Sequence, residues 1–454
     1  MRKKTAREIA VDTLIAGRKD RAWSDGYLKA AIRKNGLDSR DAALATRLGY
    51  GIIQNQTLLD YYIGCYCTQR PDHLEPIVLD VLRLGAYQIL FLDRVPDSAA
   101  VSESVELIKR YDRERAAGIV NAVLRKIASH KEHLPEIPKK DIVTYCATKY
   151  SHPVWLVKRC VELLGEAETE EFLACNNEVV STTVQYNPLK GSEEVMLQEL
   201  SAVGVMYERH PWLHGCYTLS KTGDFEHLGA FRNGTFLVQD TAAKLTALAA
   251  GVRPGMTVLD ICAAPGGKSF AMAMEMKNEG EIRSFDLHAS KIRLIREGAS
   301  RLGITCLTAE CGDGKKFRPE LEHSADVVLC DVPCSGIGII RKKPDIRMKS
   351  AQELASLPHV QSMILENASR YVKPGGVLLY STCTILPEEN EGVTDAFLKN
   401  VSGFRREAFC LSGPIGTVEQ GQITLWPQRH GTDGFYICRL HKDADCSKEK
   451  EDKA

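Results

Sequence analysis

Val258-Leu-Asp-Ile-Cys-Ala-Ala-Pro-Gly-Gly-Lys268 reads as a short apolar strand that breaks into a glycine turn and then opens a helix. Glycine has no Cβ, so the backbone of such a turn can approach a ligand closely. The alternation of strand and helix continues downstream. Strands fit Thr257–Ile261, Ile282–Asp286, Ile304–Thr308, Val327–Asp331, Val377–Ser381 and Phe435–Leu440. That pattern predicts a doubly wound α/β domain from Phe236 onward. In open sheets of this kind ligands bind outside the carboxyl ends of the strands. The residues just past each strand are therefore where chemistry is expected.

The turn supplies Cys262, Ala263, Ala264, Pro265, Gly266, Gly267 and Lys268 as candidate cofactor contacts. It does not match Gly-x-Gly-x-x-Gly, which weakens a dinucleotide reading. Asp286 closes the second strand, where a carboxylate can accept both hydroxyls of a ribose. Asp313, in Gly312-Asp-Gly314 after the third strand, is placed to reach an adenine amino group. An adenosine with a cationic reactive end suits these acids, and S-adenosylmethionine fits that description better than a nicotinamide. Two cysteines follow two further strands: Cys334 in Asp331-Val-Pro-Cys-Ser-Gly336, and Cys383 in Tyr380-Ser-Thr-Cys-Thr384. A single cysteine usually behaves as a small buried hydrophobe. Two at strand ends beside a cofactor turn indicate covalent chemistry on an electrophilic substrate.

The rest of the chain sets limits. Its 454 residues favour two or three domains over one. Lys plus Arg equals Asp plus Glu, 59 of each, so a polyanion must be met by local basic patches. The fifteen cysteines lack the spacing of a disulfide scaffold or a zinc site, and no metal is expected. Met1-Arg-Lys-Lys4 leads into Thr5-Ala-Arg-Glu8 and not into an apolar leader. Ile77–Leu92, the most apolar stretch, is interrupted by Asp80, Arg83 and Gly85 and is too short to cross a bilayer. These features describe a cytoplasmic enzyme with no membrane partner. Residues 1–130 carry helical periodicity, with a capping box at Thr5-x-x-Glu8 and helices around 42–55, 58–67, 77–92, 99–111 and 116–129. Residues 130–140 read as a linker. Residues 131–235 form this linker and a small α+β segment, with helices near 154–164 and 168–176 and a strand at Thr182–Tyr186. The α/β domain spans 236–442, and a charged, disordered tail 443–454.

The motifs Asp260-Ile-Cys-Ala-Ala-Pro-Gly-Gly-Lys268, Asp331-Val-Pro-Cys-Ser-Gly336 and Ser381-Thr-Cys383 resemble the signature of RNA cytosine-5 methyltransferases of the Nol/Nop/Sun type. Phe236-Leu-Val-Gln-Asp240, Arg341-Lys-Lys-Pro-Asp-Ile-Arg347, Lys373-Pro-Gly-Gly376, Glu388-Glu-Asn-Glu391 and Asp433-Gly-Phe-Tyr436 extend the likeness. The resemblance implies a Rossmann-like class I methyltransferase domain using S-adenosylmethionine. It implies Cys383 as the nucleophile that adds to cytosine C6, and Cys334 as the thiol that assists loss of the C5 proton and release. Asp331 would bond the base edge, and Lys268 would position cofactor or base. Arg341, Lys342, Lys343 and Arg347, with Lys349, form a basic run for RNA phosphates. Thr384 and Val332 stand where relatives often have Ser and Ala, and Gln185-Tyr-Asn187 replaces Arg-Val-Asn.

Residues 1–130 resemble the NusB-like RNA-binding domain that precedes the catalytic domain in bacterial 16S ribosomal RNA methyltransferases. Arg47-Leu-Gly-Tyr-Gly51, Leu82-Arg-Leu-Gly-Ala-Tyr-Gln88 and Ala116–Leu124 carry that likeness. The resemblance implies an enzyme acting on ribosomal RNA, 16S in particular, and not on DNA; a monomer is expected. A DNA enzyme would take its nucleophile from the Pro-Cys motif, and an amino-group methyltransferase would need an (Asn/Asp)-Pro-Pro-aromatic motif. The alternatives kept open are an RNA-binding assembly factor and a cytosine-5 methyltransferase for transfer RNA.

Overall fold

The computed structural model describes residues 3–20 and 24–444. Its contacts form two compact units, Met1–Glu178 with Ile340–Ala351, and Val179–Ile339 with Gln352–Ala454. The stretch 131–140, read as a linker, runs without helix inside the first unit. The tail expected to be disordered lies, beyond Ala444, outside the described residues.

In the first unit the periodic stretches form helices at Ser39–Gln54, Gln56–Tyr66, Pro76–Phe91, Asp97–Arg110 and Ala117–Ser129. The capping box closes as its spacing requires: Thr5 N donates to Glu8 Oε2 at 2.8 Å and Glu8 N to Thr5 Oγ1 at 3.3 Å. Two motif glycines owe their identity to packing. A Cβ on Gly51 would stand 2.1 Å from the Tyr87 ring, and one on Gly85 would stand 2.3 Å from Leu124. Helices at Ser24–Asn35 and Ile142–Lys149 were not anticipated. The two helices expected after residue 154 are Val154–Cys175, broken at Gly165, whose φ of 76° is non-helical.

Among the described residues the second unit carries fourteen strands: β1 (Thr182–Tyr186), β2 (Met206–Arg209), β3 (Cys216–Ser220), β4 (Phe236–Val238), β5 (Thr257–Asp260), β6 (Glu281–Asp286), β7 (Leu307–Cys311), β8 (Ala325–Asp331), β9 (Val372–Thr382), β10 (Phe404–Arg406), β11 (Phe409–Leu411), β12 (Gly416–Val418), β13 (Gln422–Leu425) and β14 (Phe435–Lys442). The first four make an antiparallel sheet in the order β2-β3-β1-β4, where one strand was expected. Phe236–Val238, expected to open the catalytic domain, is the edge strand of this small sheet.

The large sheet runs β10-β14-β9-β8-β5-β6-β7, with β13 paired to β14. Strands β5 to β9 pair in parallel, while β14 is antiparallel to β9. Side chains alternate between two buried faces. Val258, Val327 and Leu329 pack with Phe270 and Met272 on one side; Leu259, Val328 and Cys330 pack with Ile364 and Leu365 on the other. Strands covered on both faces read as continuous apolar runs, which is why they were visible in the sequence. The third strand lies three residues beyond its expected start. Gly303, at φ 70°, ends the helix Ala289–Leu302, and Ile304 N bonds back to Ala299 O, so Ile304 belongs to a helix cap.

Candidate active site

Parallel register brings the two cysteines together. Asp331, the last residue of β8, pairs with Ser381 of β9, and Val332 N bonds Ser381 O at 3.2 Å. Cys334 is three residues past Asp331 and Cys383 two past Ser381, so both loops leave the sheet from neighbouring strand ends. The two sulfurs stand 3.1 Å apart, both half-buried and both free thiols. A disulfide requires about 2.05 Å, so this is a contact between unbonded thiols. The hydrogen bond to Cys383, reinforced by burial and by the charges of Glu389 and Asp331, raises the Cys334 thiol well above its ordinary range.

Asp331 is held from two sides, by Lys268 Nζ on Oδ2 at 2.7 Å and by Ser381 Oγ on Oδ1 at 2.9 Å. Lys268 is half-buried and also stands 4.8 Å above the Phe435 ring. Burial works against its charge, but the Asp331 carboxylate outweighs that and leaves Lys268 above its ordinary value. Ser381 and Phe435 were not singled out in the sequence. Only the pairing register could have found Ser381 as the residue opposite Asp331.

The glycine turn lies at the end of β5. Gly266 has φ 107°, and a Cβ there would stand 2.4 Å from the Phe270 ring. Ala263 N donates to Phe285 O at 2.8 Å, Gly266 N to Ala263 O at 2.7 Å, and Gln239 Nε2 to Gly267 O at 2.9 Å. The Ala264–Pro265 peptide is cis. Burial pushes the Cys262 thiol far up, which suits a packing role for its side chain. Beneath the turn Asp260 is 1% exposed and accepts from Ser269 Oγ at 2.6 Å; Ser269 in turn accepts from Ser284 Oγ at 2.9 Å. Its other oxygen, Oδ1, is buried without a protein partner. Burial raises the Asp260 carboxyl to about 7. Asp286 closes β6, takes His288 N at 3.1 Å and lies 3.7 Å from Lys291 Nζ. Asp313 accepts from Lys315 N at 3.1 Å in the turn after β7. The turn and the three acids thus stand at the carboxyl ends of β5, β6 and β7. Among the described residues no group of three or more His, Cys, Asp or Glu side chains could hold a metal, and no helix is long and apolar enough to cross a membrane.

The basic run divides. Lys342 and Lys343 are exposed, and Arg341 is half-buried near Cys175. Arg347 departs from the expectation of phosphate contact. It is 7% exposed, and its guanidinium donates to Gln54 O (2.7 Å), Tyr150 O (2.8 Å), Ser151 O (3.0 Å), Asn176 O (3.2 Å) and Asn177 Oδ1 (2.6 Å). Three helices end at these carbonyls, Ser39–Gln54, Ile142–Lys149 and Val154–Cys175. Helix carboxyl ends carry unsatisfied oxygens and partial negative charge, which a buried cation satisfies. Burial lowers Arg347 to about 9, so it remains charged at neutral pH.

Residues 247–441 match the family model described as 16S rRNA methyltransferase RsmB/F, residues 4–129 the NusB family, and residues 152–226 the ferredoxin-like domain of RsmF/B-like methyltransferases. The "Probable ribosomal RNA small subunit methyltransferase B" of Bacillus subtilis is 36% identical over 449 residues, which cover 97% of this chain and 100% of that one. The similarly named protein of Synechocystis sp. is 32% identical over 445 residues, with 96% and 99% covered. The solved structure reported as "Crystal Structure of PH0851" superposes with a TM-score of 0.79 at 29% identity, covering 97% of this chain and 99% of that chain.

Proposed function

The chain belongs to the 16S rRNA methyltransferase RsmB/F family, and from that membership we propose that it methylates C5 of a cytosine in small-subunit ribosomal RNA through a covalent adduct on Cys383. We read it as a monomeric, cytoplasmic enzyme whose methyl donor is S-adenosylmethionine. The observation that carries the reading is the 3.1 Å thiol pair beside the Lys268–Asp331–Ser381 cluster.

The residues present fit the donor. The glycine turn at the carboxyl end of β5 keeps its backbone bare at Gly266 and Gly267, Asp286 retains carboxylate lone pairs for a ribose, and buried Asp260 Oδ1 lacks a donor. When bound, that cofactor supplies an electrophilic methyl group. Cytosine C5 is too weak a nucleophile to take it unaided. Cys383 Sγ forms a bond to C6 as the C5–C6 π electrons move onto C5, which then accepts the methyl group. Asp331, held by Lys268 and Ser381, bonds the base edge and stabilises the charge that develops on the ring. Loss of the C5 proton, with Cys334 assisting, restores the double bond and expels Cys383 as thiolate. Lys342 and Lys343 are the remaining candidates for phosphate contact in the basic run.

The roles separate in a gel. Cys383→Ala should abolish methyl transfer and form no adduct. Cys334→Ala should accumulate RNA bound to Cys383 that survives denaturation and requires S-adenosylmethionine. An adduct in Cys383→Ala that is lost in Cys334→Ala would reverse the assignment. Full activity in both variants would exclude the covalent route.

A further inference from the structure

The segment Glu388-Glu-Asn-Glu391 grips both cysteine loops. Glu388 is exposed, whereas Glu389 is 2% exposed and Asn390 fully buried. Glu389 Oε2 accepts from Ser335 N at 2.9 Å and from Gln361 Nε2 at 2.8 Å, and the same Gln361 nitrogen donates to Pro333 O at 3.0 Å. The peptides on either side of Cys334 are therefore fixed by one buried pair. Asn390 does the same for Cys383: Oδ1 takes Thr382 Oγ1 at 2.6 Å, and Nδ2 donates to Thr384 O at 3.1 Å. Ser335 Oγ joins the two loops directly, donating to Thr384 Oγ1 at 2.7 Å. Tyr380 OH holds the clasp from below, on Glu389 O at 2.6 Å.

Burying a carboxylate is costly unless its oxygens are paired. Glu389 has one oxygen with two donors and one, Oε1, buried with no protein partner. An apolar residue would fill the space without that cost, so the charge itself calls for a role. The titratable and charged groups facing Cys334 are Cys383, Glu389, Asp331 and Tyr380, with Lys268 beyond Cys383.

We propose that Glu389 is a positioning residue for the thiol pair: with Gln361 it fixes the loop around Cys334 so that this thiol faces Cys383, and its negative charge acts on Cys334 across that loop. This rests on Cys334 and Cys383 being the reacting pair. Glu389→Gln keeps the shape and the Ser335 and Tyr380 contacts but removes the charge. Glu389→Ala also releases the loop.

The test reads the thiols themselves, in the full-length free enzyme, by iodoacetamide alkylation against pH with peptide mapping. In Glu389→Gln the pH profile of Cys334 alkylation should move about one unit lower, which is about tenfold faster modification on its rising limb. Glu389→Ala should show the same shift and, where RNA is methylated, a fall in kcat with the KM for S-adenosylmethionine within about twofold of wild type. A Cys334 profile superimposable on wild type in Glu389→Gln overturns the proposal, even where Glu389→Ala fails to fold. Wild-type enzyme that does not methylate cytosine C5 would fail the functional reading alone, because the thiol titration needs no turnover.

Discussion

Replacing Arg347 by Met should unfold the first unit far more easily while sparing the chemistry of the second. The guanidinium serves five oxygens between 2.6 and 3.2 Å, three of them on Nη1. One nitrogen carries two protons, so those three bonds are shared, and roughly four full bonds are at stake. Hydrogen bonds to a charged group contribute about 1.5–3 kcal/mol each. Against them stands the desolvation of a buried cation, several kcal/mol in a real protein. The difference is a destabilisation of about 3–5 kcal/mol, the range for breaking a buried charged network. At about 2–4 °C per kcal/mol for a unit of this size, Tm should fall by roughly 10 °C. Calorimetry gives the shift, and urea unfolding followed by Trp155 fluorescence gives the free energy, since the Trp155 indole donates to Lys349 O at 3.0 Å in the same unit. Arg347→Lys should recover less than half of the loss, because a single ammonium cannot serve three helix ends. A cost below about 1 kcal/mol in Arg347→Met, together with a flatter salt dependence of RNA affinity, would refute the reasoning and restore Arg347 to the phosphate surface.

Three further outcomes follow from the catalytic unit. Asp260, raised by burial to about 7 in the folded protein against about 3.9 in an unfolded chain, holds a proton that the unfolded chain releases between those values. Stability should therefore fall as pH rises from about 4 to 7, by up to about 1.4 kcal/mol per unit. The Tm advantage of Asp260→Asn should grow from pH 5 to pH 8, and a flat difference would contradict the burial argument. Asp286→Ala should weaken S-adenosylmethionine by about 1–3 kcal/mol in calorimetry by removing ribose hydrogen bonds; unchanged affinity would remove Asp286 from the pocket. Gly338→Ala places a Cβ 1.9 Å from Gly434 O, beside the Gly338 N to Cys383 O bond of 3.0 Å. It should lose methyl transfer while cofactor affinity stays within about twofold, and an active variant would mean that this loop tolerates displacement.

The strands of the large sheet were legible because burial on both faces writes them as apolar runs, and their ends located Asp331, Cys334 and Cys383. Strand order is a long-range property, so Ser381 as the partner of Asp331 could not be read from either segment alone. The same holds for Gln361, which reaches the Cys334 loop from a helix with no local sign of that task. The small sheet was missed for other reasons: β2 is exposed along its whole length and so shows no buried face, and Phe236-Leu-Val238, though apolar, is only three residues long. Ile304 misled because an apolar residue after a glycine serves a helix cap as well as a strand. Arg347 misled because a cation in a charged run is normally solvated, and nothing nearby in sequence announces three helix ends meeting around it.

The two thiols illustrate how a sheet and a polar floor divide the labour of holding reactive atoms. Parallel strands set only where the loops begin, Asp331 beside Ser381, and leave two or three residues of freedom before each sulfur. Ser335, Thr384, Asn390 and Gln361, all fully buried, with Glu389 at 2%, remove that freedom from beneath. Apolar packing at the same place would tolerate several loop conformations of similar energy. Hydrogen bonds in a buried setting are satisfied in few arrangements, so they select one. The two cysteines themselves are only partly buried, which leaves room for a substrate to approach from outside the sheet edge. A geometry fixed from below and open above is what reactive thiols need when a substrate must enter and leave again.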